Sequence, residues 1–170
     1  MTFNHFCKGV LLELKINSGS WKRRASIISY RIKFLFVYVK PNLILLQFAK
    51  LISLTLDFLS QSRSLPAETF IGYGLRIPHG FHGVYISQFA VLGKNITLFH
   101  NTTIGVLDNE KYSKGDIMIG DDVYFGCGTT LLGKCKVGNK VKFVANSLWI
   151  SKEIPDNSLV LAPHSQARKQ

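Results

Sequence analysis

Apolar residues recur every six positions in the last third of the chain, at Ile119, Phe125, Leu131, Val137, Phe143 and Trp149. An α-helix repeats its apolar face about every 3.6 residues and a half-buried strand about every two, so neither produces this spacing. The period predicts a stacked coil, in which each unit buries its apolar side against the next. Four positions past the leading residues stand Val123, Thr129, Cys135, Val141 and Ser147, a second slot of small or β-branched side chains. The register starts at Ile71 and Ile77, slips by three residues around 83–85, and resumes at Ile86, Leu92, Leu98 and Ile104. Residues 106–118 are polar and charged and fit no repeat, so they are predicted to leave the coil as a projecting loop.

Upstream, the pattern becomes helical. Ser20 predicts the cap of a helix running from Trp21 toward Lys40, where Pro41 stops it and a second helix follows to about residue 60. Residues 34–39 are also strand-like. The most apolar stretch, 42–59, is interrupted by Gln47, Lys50, Ser53 and Asp57, and a spanning helix would carry two of these as charges into hydrocarbon. It reads as an amphipathic helix packed on the first helix, on the coil or on another subunit. The expected organisation is a basic, apolar helical segment over 1–63, a β-coil over 64–160 and a tail over 161–170.

Composition adds little to the fold but much to the surface. With 170 residues and 46% hydrophobic content the chain can bury a core, which excludes a disordered protein. Its net charge of +11 is uneven, because residues 1–63 hold ten Lys and Arg against only Glu13 and Asp57. Such a front end suits an anionic lipid surface, a polyanionic saccharide or simply a solvated helical face. Cys7, Cys127 and Cys135 form no pairing pattern and no secretory leader is evident, which points to the cytoplasm, with peripheral contact at the inner membrane face left open. No nucleic-acid partner is expected.

The stretch 71–155, with IGYGLRIPHG, GVYISQFAVLGKNITLFHNTTIG, IGDDVYFGCGTTLLGKCKVGNKV and ANSLWISKEIP, resembles the hexapeptide-repeat acyltransferases, within them the serine acetyltransferase-like branch. The resemblance implies a mainly β protein, a left-handed parallel β-helix of triangular section with a short N-terminal α-helical segment. It also implies a homotrimer that binds acetyl-CoA between neighbouring coils. Acetyl transfer to a hydroxyl needs a base for the departing proton, and a neutral imidazole serves near pH 7. His79, in IPHG, looks like the family's catalytic histidine, but one extra residue before Gly83 makes His82 a competing assignment. Register gives a second argument: His79 and His100 each lie two past a repeat position and are 21 residues apart, one coil of eighteen plus the slip. They are predicted to stack, with Cys127 in the same column; His100 is a secondary candidate whose family counterpart is often Gln. A His, His, Cys column invites a zinc reading, but the related zinc-binding coils use three histidines between subunits, so no metal is expected.

For the donor, the resemblance points to Cys127-Gly128 and Ala145-Asn146 lining the pantetheine groove, and to Lys152, Arg168 and Lys169 near the phosphates. For the acceptor it points to Ser64 and Asp116, which stand where serine acetyltransferases carry Asp and His. Those departures and the short front end resemble saccharide O-acetyltransferases of bacterial surface polysaccharide pathways, so a sugar hydroxyl is the expected acceptor. Serine O-acetyltransferase is the alternative of the same chemistry. A non-catalytic scaffold of a polysaccharide assembly complex is the alternative of another class.

Overall fold

A computed structural model of the chain describes residues 1–61, 65–108 and 111–162. Short parallel strands wind around three sides. The first side stacks β1 (Phe70–Ile71), β4 (Ala90–Leu92), β7 (Ile117–Ile119) and β10 (Cys135–Val137). The second stacks β5 (Thr97–Leu98), β8 (Tyr124–Phe125), β11 (Lys142–Phe143) and β13 (Leu159–Val160), and the third β3 (Tyr85–Ile86), β6 (Thr103–Gly105), β9 (Thr130–Leu132) and β12 (Leu148–Ile150). Positions eighteen apart therefore pair directly, as Ile119 with Val137, Phe125 with Phe143 and Leu131 with Trp149. Positions six apart fall on successive sides. The architecture is a left-handed parallel β-helix: the six-residue register predicted the stacked coil, and the family resemblance implied its hand and triangular section.

The repeat residues from Ile71 to Phe143 are buried inside this tube, and Trp149 is half-buried near its end. Phe125 and Phe143 stack with ring centroids 4.8 Å apart and planes 8° from parallel. In the second slot, Thr102, Thr129 and Ser147 are buried, and each donates its hydroxyl to the carbonyl three residues back, at Phe99, Gly126 and Val144. A polar atom in a dry interior is destabilising unless it is bonded, and these local bonds remove that penalty.

Register fixes where the slip lies. Arg76 bridges to Thr97, whereas Asn101 donates its backbone N–H to His82 and Tyr85 pairs with Thr103. The three extra residues are thus 78–80, inside β2 (Pro78–Phe81), and not 83–85. The loop also differs from its expected bounds. Ile117 and Met118 pair with Ala90 and Val91 on one side and Cys135 and Lys136 on the other, so the excursion ends at residue 116. Rather than projecting freely it folds back: Lys114 donates to the carbonyls of Gln88 and Glu68, Gly115 donates to Phe89, and Tyr112 lies against the Phe89 ring.

Three helices precede the coil: α1 (Phe3–Ile16), α2 (Trp21–Phe34), continued by a π-helical turn Leu35–Val39, and α3 (Leu43–Ser60); α1 and α2 cover its first turn and α3 packs on α2. The strand-like run 34–39 is therefore helical. The upper rim of a β-helix presents unpaired backbone groups, as any sheet edge does. Here side chains of α1 and α2 occupy that rim. Arg31 donates to the carbonyls of Ile71 and Gly72, Glu13 accepts from Leu75 N–H, and Asn17 bonds both Leu75 O and Ile77 N–H. Tyr30 donates to Thr69 O and accepts from Ile71 N–H. Arg31 and Glu13 are fully buried and hold each other through two bonds of 2.8 and 2.5 Å. Burial pushes the Tyr30 hydroxyl well above the usual phenol range, so it stays protonated and able to donate.

Candidate active site

The bulge at 78–80 determines how the histidines meet. Backbone bonds run from Asn101 N–H to His82, from Gly128 N–H to His100 and from Asn146 N–H to Cys127, at 2.9, 3.1 and 2.8 Å. The in-register corner column is therefore His82, His100, Cys127 and Ala145, and the column expected to start at His79 starts at His82. The cause is the extra length of β2, which carries His79 outward. His79 nevertheless meets His100, with ring centroids 4.9 Å apart at 80°, and leans on Phe99 at 5.7 Å. His79 and His82 are exposed, while His100 is half-buried and its Nδ1 atom is buried with no hydrogen-bond partner among the described residues.

A cavity of about 370 Å³ opens beside His79 and His82. It is also lined by the N-terminal part of α2, with Lys22, Arg23 and Ser26, and by Ser20 and Ser60. Arg23 donates through Nη1 to the carbonyl of Pro78 at 3.3 Å, which ties α2 to the bulge, and its Nε atom is buried without a partner among the described residues. Lys22 is steadied by Gln61 at 2.7 Å. Ser20 occupies the N-cap position, as its sequence position predicted, but its side chain makes no capping bond. Among the described residues no carboxylate lines this cavity. Cationic side chains and an uncapped helix start together make it attractive to an anion. These basic residues had no motif to flag them; the only sequence signal was the run Lys22, Arg23, Arg24 directly after the cap.

Further down the same corner, glycines let successive coils stack closely. A Cβ on Gly126 would lie 2.6 Å from the Ala145 nitrogen, and one on Gly128, whose φ is +70°, would lie 2.2 Å from Asn146 Oδ1. Cys127 is half-buried between them, and Ala145 and Asn146 are exposed. Asp116 and Lys152 line a different hollow, with Lys134, Cys135 and Glu153. The Ser113 N–H, and then Lys134 at 3.4 Å, hold the Asp116 carboxyl below the usual carboxylate range. Within one chain, that hollow and His79 stand at different corners. Ser64, Arg168 and Lys169 lie outside the described residues. Among the described residues no group of three or more His, Cys, Asp or Glu is placed to hold a metal ion.

The three-sided coil, its eighteen-residue stacking and its glycine-lined corner define a left-handed β-helix protein of the hexapeptide-repeat class. Within that class, the fold is that of the serine acetyltransferases. The structure of serine acetyltransferase isoform 3 from Entamoeba histolytica, in complex with cysteine, superposes with a TM-score of 0.77 at 20% identity, covering 99% of this chain and 62% of that one. A serine acetyltransferase in complex with CoA superposes at 0.72 with 17% identity, covering 94% and 68%. In sequence, the serine acetyltransferases of Bacillus pumilus and Bacillus subtilis are 30% and 32% identical over 141 residues, 83% of this chain. The chain spans 58% of the length of these curated relatives. No protein-family model matches it.

Proposed function

We propose that this protein is an acetyl-CoA-dependent O-acetyltransferase of the serine acetyltransferase type. The observation that carries the reading is His79, lifted from the coil on a bulge so that its exposed ring stands at the mouth of a cation-lined cavity. In the proposed reaction the acceptor lies in this cavity and its hydroxyl gives its proton to His79 as the oxygen attacks the thioester carbonyl. The tetrahedral intermediate collapses with loss of the CoA thiolate, which His79 reprotonates. The carbonyl oxygen is stabilised by the backbone N–H groups of Cys127 and Ala145, the usual role of such donors in acyl transfer. Among the described residues of this corner, these two are not given to a carbonyl of a neighbouring coil. Cys127, Gly128, Ala145 and Asn146 flank the pantetheine arm, and His100 packs behind His79 to orient it. Asp116 and Lys152 can serve this site only from a neighbouring copy, which accords with a homotrimer whose corners adjoin.

For the acceptor, the relatives support serine, and neither a saccharide acceptor nor a membrane location finds support among them. Arg23 and Lys22 suit the serine carboxylate, a planar anion that a guanidinium recognises well. One observation favours a second reading: among the described residues of one chain no carboxylate lines the cavity to receive an ammonium group, so only Asp116 of a neighbouring copy could do so. An acceptor that is anionic without being zwitterionic fits that lining better. Thiol release from acetyl-CoA, followed with L-serine, 3-hydroxypropanoate and neutral or anionic oligosaccharides, separates these readings. Turnover with L-serine at least tenfold above the others supports the first; preference for 3-hydroxypropanoate or an anionic sugar supports the second. No turnover, together with no acetyl-CoA binding by calorimetry, would leave only a non-catalytic scaffold.

A further inference from the structure

Helix α3 is amphipathic in the reverse sense. The side it turns toward α2 holds Leu46 and Ala49 but also Ser53, Asp57 and Ser60, all buried. That seam is bonded through polar groups: Ser29 donates to Asp57 Oδ1 at 2.6 Å and Ser53 donates to the Ser29 carbonyl at 2.9 Å. The opposite side is apolar and open, with Leu43, Ile44, Phe48, Leu51, Leu54 and Phe58 each between 61% and 83% exposed. At 100° per residue these six fall within one broad face, where the interspersed residues Gln47 and Thr55 are uncharged. Large contiguous apolar patches are rarely left in water.

The surrounding charge is one-sided. Within residues 1–61 both carboxylates, Glu13 and Asp57, are buried, whereas of the cations only Arg31 and Lys33 are. The exposed charge of the helical part is therefore entirely positive. Lys40 precedes α3 and Lys50 flanks its apolar face. We infer that α3 lies flat on an anionic lipid surface, its apolar face among the acyl chains near the headgroups and the flanking lysines on lipid phosphates. A second copy fits less well, since two such faces would oppose positive fields. Although α3 has the length and apolarity to cross a bilayer, its polar seam is locked to α2, so it rests on the membrane rather than traversing it. The inference stands apart from the acceptor and from acetyl transfer.

Flotation with vesicles tests it directly. The full chain should co-float with vesicles containing phosphatidylglycerol at least tenfold more than with pure phosphatidylcholine, and raised salt should weaken the binding. The exposed double variant F48E/L51E should lose flotation while keeping the wild-type thermal transition and thiol-release activity. Equal flotation of variant and wild type, or none with anionic vesicles, would overturn the inference. So would sedimentation showing that F48E/L51E dissociates an oligomer, because the face would then cover another subunit.

Discussion

His79 owes its position to three extra residues in one strand, and its neighbours in the column owe theirs to strict stacking, so single substitutions should separate the two kinds of residue. Cys127 and Cys135 offer a chemical comparison. Burial pushes the Cys135 thiol up to about 11, so at pH 8 it is almost wholly protonated and inert to iodoacetamide. Cys127, half-buried at the glycine-lined corner, should alkylate at least tenfold faster, and saturating CoA should suppress that reaction. Mass spectrometry of the modified peptides checks both; CoA that leaves Cys127 unprotected would remove the groove from that corner. Gly128 sits at φ +70° with Asn146 Oδ1 in the space a methyl would need. Gly128→Ala should destabilise the coil by about 1–3 kcal/mol, the usual range for left-handed strain with a displaced neighbour, read by chemical denaturation.

At the scale of the element, the rim cap formed by α1 and α2 is the interaction most sensitive to change. Glu13→Ala leaves the Arg31 guanidinium buried without its counter-charge and Leu75 N–H without an acceptor. Removing one partner of a buried pair typically costs about 3–5 kcal/mol, and a loss of that size in the unfolding free energy extrapolated from urea denaturation is the expected result. Joint replacement of Glu13 and Arg31 by apolar residues should recover part of the loss, because no lone charge then remains. This cap also marks what the sequence could not reveal. The boundaries of α2 and α3 follow from Ser20, Pro41 and local periodicity, but Glu13, Asn17, Tyr30 and Arg31 act on backbone some 40 to 60 residues away, and no local pattern records that. Helix α1 lies in the stretch expected to be helical, but its bounds were not legible for a related reason: its buried side includes Gly9 and Glu13, so its contact face does not read as an apolar stripe.

For the molecule as a whole, the coil was legible because one six-residue spacing repeats along it, while the three repeats to a turn, and with them eighteen-residue pairing, came from the family resemblance. The slip was legible in size but not in place. Pro78, His79 and Gly80 look like any corner, and only the pairing of His82 with the following turn shows that they are the insertion. The cavity was the least legible feature, since Lys22 and Arg23 meet His79 and His82 across more than fifty residues of chain. The steady-state rate of thiol release by His79→Ala, measured beside His82→Ala with serine as acceptor and CoA affinity as a control, probes this assembly most directly. A fall of about 10²–10⁴-fold in kcat for His79→Ala, with CoA affinity and thermal transition retained and His82→Ala within a few fold of wild type, is the predicted result. Comparable mild losses in both variants, or loss confined to His82→Ala, would contradict the assignment of the bulged imidazole as the base.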